Sequence, residues 1–184
     1  MTQNQLLLLA LLALLAVLVF WTVGAYNRLV SLRSAIGDAW TKVDEALRQR
    51  AQAADPLLAA LREPMAAEHG ALDATLAALA DVKRTATVMG ARPVVADNAV
   101  AWVAAEAGLS ASASRLFALL DHSDALRQQE AVLATTRSWR EADTRLAFAR
   151  QLFNEAAEAY NVAIALFPTR LLVPVFRFSP AGRI

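Results

Sequence analysis

Twenty consecutive residues without a charge, "LLLLALLALLAVLVFWTVGA" from Leu6 to Ala25, constrain this chain more than anything else in it. A helix rises 1.5 Å per residue, so the run reaches roughly 30 Å, the thickness of the hydrocarbon layer of a bilayer. It therefore predicts a single transmembrane helix, with residues 1–25 as an anchor and a body beyond. The competing reading is a cleaved leader, because Val23-Gly24-Ala25 offers a cleavage rule before Tyr26. Against it, Met1 to Gln5 hold no Lys or Arg, and the run exceeds the roughly 7–15 residues of a leader's apolar core. Trp21 and Tyr26 close the span where interfacial aromatics belong. Arg28, Arg33 and Lys42 follow the span and no basic side chain precedes it, which predicts an external N-terminus and a cytoplasmic body.

Composition supports a lipid contact and removes other partners. With 57% hydrophobic residues and a mean hydropathy of +0.37, the chain is too apolar for an ordinary soluble protein. A formal net charge of +1 excludes the dense basic surface that phosphate-driven binding requires, so no nucleic-acid partner is expected. The absence of cysteine removes disulfides, thiolate metal sites and a cysteine nucleophile.

Beyond the anchor the pattern is helical throughout. Leu29, Ile36 and Val43 recur at spacing seven, with Trp40 and Leu47 four residues after the second and third of them. This helix is expected to reach about Ala54. Asp55-Pro56 reads as an N-cap and first-turn proline opening a second helix, which Pro64 should kink or split. Gly90 and Pro93 mark the next boundary, Asp97 the cap of a third helix running to about Leu120, and "DHSD" a turn. The longest helix is expected to start at Ser123 or Asp124 and to stop at Phe167 before Pro168.

Along that last helix Val132, Trp139, Leu146, Phe153, Tyr160 and Phe167 form a heptad series, and Ala142, Ala149, Ala156 and Ala163 a second one. Alternating large and small side chains of this kind suit the coiled-coil-like packing of neighbouring helices. The expected fold is all-α: an antiparallel up-and-down four-helix bundle over residues 26–168 behind the transmembrane helix, followed by an apolar tail over 169–184. Four such helices return the tail to the membrane end, where Leu171, Leu172, Val173, Val175 and Phe176 would need covering, either by lipid or by the bundle.

Two separated motifs resemble the LemA family. "YNRLVSLRSAIGDAW" directly after the span matches its Tyr-Asn-x-Leu-Val segment and later Ala-Trp through Tyr26, Asn27, Leu29, Val30, Ala39 and Trp40. Near the other end, Ala149-Arg150, Phe153-Asn154, Tyr160-Asn161 and Phe167-Pro168 are similar to the family's spacing. The middle departs from it: "AQAADPLLA" stands where relatives carry a His-Asp-Leu-Ile-Pro-Asn run, a His-Glu pair is inverted as Glu68-His69, and a Tyr-Pro-x-Leu element is missing near "LFALLDHSD". The resemblance implies a divergent member of a group of membrane-anchored four-helix bundles, widespread in bacteria and without a settled activity. Its implied location is the bacterial inner membrane.

No reaction chemistry stands out. His69 and His122 lack a second ligand at helical metal spacing, so no metal or other cofactor is expected. Glu141, Asp143, Glu155 and Glu158 interleave with Arg137, Arg140, Arg145 and Arg150 at spacings typical of a solvated, ion-paired face. Ser110, Ser112 and Ser114 have no nearby base. The candidate interaction residues are Tyr26, Asn27, Trp40, Asn154, Tyr160 and Asn161, the asparagines either fixing helix register by buried amide bonds or lining a polar groove. The expected role is that of a non-catalytic interaction or scaffold protein. A sensor-like bundle holding a small ligand or peptide between helices is the alternative, and an enzyme ranks third. Candidate partners are membrane lipid, met by the N-terminal helix and the tail, an unknown protein, and a second copy of the chain.

Overall fold

A computed structural model describes residues 2–184. They form six α-helices and two short 3-10 turns, with no β-strand among the described residues.

Helix α1 runs without a break from Gln3 to Leu61, 59 residues, and so joins the apolar run to the body as one rod. The expected break at Asp55-Pro56 does not occur; Pro56 lies inside the helix. An internal proline costs about 3 kcal/mol. Just beyond it Leu57, Leu58 and Leu61 are all buried, each worth roughly 1.5–3 kcal/mol, and that gain outweighs the cost. The chain turns instead at Arg62–Met65, around Pro64. A 3-10 turn, Ala66–Glu68, then leads into α2, His69–Ala91.

Helix α3 spans Ala96–Asp121, and Asp97 falls in its first turn while Val95 occupies the cap. The amide of Asn98 closes the preceding turn by donating to the carbonyl of Arg92 at 3.2 Å. After α3, the Ser123 hydroxyl accepts from the Leu126 amide and caps a one-turn helix α4, Asp124–Arg127. The chain restarts as α5, Glu130–Ala165. The single helix expected from Ser123 to Phe167 is thus divided at Gln128–Gln129 and ends at Ala165, and α1, not α5, is the longest. A 3-10 turn, Thr169–Leu171, and the short helix α6, Val173–Phe176, follow a cis Phe167–Pro168 bond.

Helices α1 and α5 form the main packed pair, and α2 and α3 a second one. The α1–α5 pair is antiparallel: Trp40 meets Phe153, while Arg50 reaches back to Asp143. All the apolar heptad positions named on α1 are buried, as are Val132, Trp139, Leu146, Phe153 and Tyr160 on α5. Phe167 departs from the series. Because α5 stops two residues earlier, its ring is turned out and 80% exposed. Among the alanines, Ala142, Ala149 and Ala163 are buried, but Ala157 takes the inward position expected of Ala156, which is half-buried.

The second pair is the shorter. A Cβ placed on Gly90, near the end of α2, would lie 3.0 Å from Trp40 Nε1, so the α2–α3 turn sits about level with Trp40 and well short of Tyr26. The last residues of the chain fill the space this leaves. Phe178, Ala181 and Ile184 are buried in the common core, and Ala181 pairs with Val95 in an isolated antiparallel bridge.

Among the described residues, two helices are long and apolar enough to cross a membrane. The most apolar 18-residue window of α1 has a mean hydropathy of 3.0 and is wholly unburied, whereas that of α3 reaches 1.2 and is one-third buried. Trp102, Leu109 and Leu116 place α3 in the core.

Candidate functional site

The asparagines of α5 explain their own spacing. One heptad apart, Asn154 and Asn161 project along the same face, and the last stretch of chain lies across it. Asn161 accepts from the Ala181 amide at 2.8 Å and donates to the Ala181 carbonyl at 3.0 Å. Asn154 does the same to Ile184, accepting at 2.8 Å and donating at 2.6 Å. A primary amide carries one acceptor and one donor side by side, which matches the two polar groups that a single residue of extended chain presents. Between them the Tyr160 hydroxyl donates to the Ser179 carbonyl at 3.1 Å. The expected partner of these side chains was the first helix or an open groove; the structure gives them the segment from Ser179 to Ile184 instead.

That segment is strapped on its other side as well. A Cβ on Gly182 would lie 2.6 Å from Ala99 Cβ and 2.8 Å from Ala96 Cα, so only glycine lets the strap lie this close to the start of α3. The strap therefore bridges α5 and the start of α3.

The other candidates divide. Tyr26 packs its ring against Phe176 at 4.8 Å and Phe178 at 6.1 Å, and Phe178 in turn lies 6.5 Å from Tyr160, so the two tyrosines are joined through the tail. Burial raises the Tyr160 phenol above its ordinary pKa, opposed by the charge of Arg33. Asn27 is exposed. Trp40 belongs to the core, edge-on to Trp102 at 5.6 Å and to Phe153 at 6.0 Å.

One polar cluster escaped sequence reasoning. Arg50 of α1 is buried and forms a bidentate pair with Glu106 of α3, at 2.5 and 3.0 Å, and its Nη1 also reaches Asp143 of α5 at 3.3 Å. Burial alone would lower the pKa of Arg50, but the bonds and charges of Glu106 and Asp143 together outweigh it and leave the guanidinium held more firmly charged. Burial also raises the Asp143 carboxyl above its ordinary value, against the pull of Arg50. These residues lie 56 and 93 positions apart, so no spacing rule finds them. Their only local signal is charge within otherwise apolar helix faces.

The cluster forms part of the wall of an open groove of about 590 Å³ between α3 and α5. Arg150 lies over the Trp102 ring at 5.3 Å, and Arg140 over Phe117 at 5.9 Å. Among the described residues, none of Arg137, Arg140, Arg145 and Arg150 pairs with an acidic neighbour on α5 as the spacing suggested. Arg140 and Arg150 cover aromatic faces, and Arg145 donates to Gln49 of α1 at 2.6 Å. Ser110 and Ser114 line the groove beside these arginines, and no histidine does. His69 and His122 each bond a carbonyl three or four residues back in the chain.

The geometry is that of a clamp: one guanidinium ties three helices, and two amides hold the strap. A family profile described as the LemA family matches residues 39–183. The match includes Trp40, Asn154, Tyr160 and Asn161, the clamp and most of the strap, and begins after Tyr26 and Asn27. No curated protein and no solved structure matches the chain.

Proposed function

The chain belongs to the LemA family, and we propose that it is a non-catalytic scaffold, a four-helix bundle held at the inner face of a bacterial inner membrane by its N-terminal helix. The supporting observation is the continuity of α1. Its first part, from Leu6 to Phe20, is exposed and apolar, its later part supplies the core, and no break separates them. A body built on the same helix as its anchor is presented at a fixed height and angle, which suits a docking platform. A photo-crosslinking residue in place of the exposed Ser110, in the α3–α5 groove, is expected to capture one defined protein in intact cells, and the same residue in place of the exposed Leu133 none. Identical capture at both positions defeats the scaffold reading. Protease added to intact spheroplasts should leave the body uncut; digestion reverses the proposed orientation.

The groove favours one second reading, a small anionic ligand held by Arg140 and Arg150. Such a ligand would raise the unfolding temperature of the wild type and not that of the Arg140→Ala, Arg150→Ala variant.

A further inference from the structure

Around Tyr26 the surface changes character. Leu166, Phe167, Leu171, Val175 and Phe176 stand exposed on the turns that follow α5, Phe167 by 80% and Val175 by 70%. An apolar cluster of this kind marks a contact. The Phe176 ring lies 4.8 Å from that of Tyr26, the residue that follows the apolar run from Leu6 to Ala25, so the cluster is level with the end of the run. Charge is segregated in the same place. Residues 1–37 and 159–184 hold five arginines and no Asp or Glu, which leaves thirteen basic residues against seventeen acidic ones in the rest of the chain. Among the described residues, Arg183 alone of the five forms an ion pair, with Glu158 at 3.7 Å. Arg28, Arg33, Arg170 and Arg177 are exposed.

We infer that the segment from Leu166 to Phe176 is a second membrane contact, its apolar side chains entering the interfacial layer beside α1 while Arg28, Arg33, Arg170 and Arg177 meet anionic lipid headgroups. The inference rests on the reading of α1 as a span. Backbone geometry suits it: the amides of Arg170, Leu172 and Phe176 donate within the segment, to Leu166, Thr169 and Leu172 at 2.9–3.0 Å, which lowers the cost of leaving water. Leu172 is buried, and Val173 packs against the core and secures the segment to it. Charge favours lipid over a second copy as the cover, because a symmetric dimer through this patch would set the same four arginines against each other. Anionic headgroups attract them, and apolar insertion combined with basic residues is the usual composition of an interfacial anchor.

The chain lacks cysteine, so Phe167→Cys and Val175→Cys each accept one environment-sensitive fluorophore in the full-length protein, with Phe20→Cys in the span and Leu133→Cys at the far end as controls. In vesicles of phosphatidylcholine and phosphatidylglycerol, labels at 167 and 175 should be quenched by a lipid nitroxide near the headgroup and protected from aqueous iodide. The label at 133 should show the reverse. In phosphatidylcholine alone the first two should regain iodide quenching, and indifference to lipid charge overturns the role given to the arginines. Iodide access at 167 and 175 while the label at 20 stays protected overturns the contact and leaves the anchor standing. Protection from both quenchers means that protein covers the patch, which also overturns it. If the label at 20 is itself open to iodide, the anchor reading fails and takes this contact with it.

Discussion

Replacing Glu106 with leucine tests the clamp most directly. Arg50 and Glu106 are buried, with residue exposures of 5% and 8%, and the guanidinium would lose both bonds to Glu106 and keep one contact, at 3.3 Å, to Asp143. The Asp143 side chain is 46% exposed, so solvent screens what remains. An arginine cannot escape by losing its proton. The expected cost is therefore about 3–5 kcal/mol, the range for removing one partner of a buried pair. Arg50→Met leaves the opposite orphan, a buried carboxylate stripped of both its bonds, and should also be destabilising. The double variant carries neither charge and should return to within about 1–2 kcal/mol of wild type, since buried pairs are often replaceable by apolar groups. Urea unfolding of the detergent-solubilised full chain, followed by tryptophan fluorescence at pH 5 and 8, reads all three. Losses that simply add in the double variant, or single losses below about 1 kcal/mol, would refute the claim that this pair is desolvated and coupled.

Three further outcomes follow from the packing and the strap. Phe153→Ala removes a fully buried ring at Trp40 and should cost roughly 3–5 kcal/mol in the same unfolding assay. Gly182→Ala forces a Cβ against Ala99 and the backbone of Ala96, an overpacking expected to cost about 1–3 kcal/mol; hydrogen exchange at Ala181 should accelerate while the α1 core stays protected. Asp143 has a raised pKa, so the unfolded chain ionises first and this group withdraws stability as pH climbs from its ordinary value through the raised one. Asp143→Asn should flatten that part of the stability profile, seen as a smaller fall in urea midpoint than in wild type.

Where periodicity is strong, the sequence is explicit: the heptads of α1 and α5 name buried positions because every seventh residue returns to one face. Boundaries are less legible, since they are decided by contacts distant in the chain. Asp55-Pro56 carries a proper start signal, yet three leucines packed after it hold the helix together. Asn154 and Asn161 announced a shared polar face but not its occupant, because a segment containing Ala181 and Gly182 has no pattern that marks it as a strap. Asp143 looked solvated among its arginines, and only the approach of α1 makes Arg50 its partner. The α3–α5 groove has no sequence signal at all, being shaped by side chains of two helices that are not neighbours in the sequence.

The unbroken α1 also has a mechanical meaning. With no hinge at Tyr26, the angle of the apolar segment is the angle of the whole body. About 36 residues separate Ala25 from Leu61, roughly 54 Å of helix, so a tilt of about 20° at the bilayer moves the distal end sideways by about 18 Å. Tilt answers to bilayer thickness, and the rod converts a change of a few ångströms in the lipid into a much larger displacement at its far tip. Held in a bilayer as proposed, such a helix would act as a lever whose position the thickness of the membrane sets.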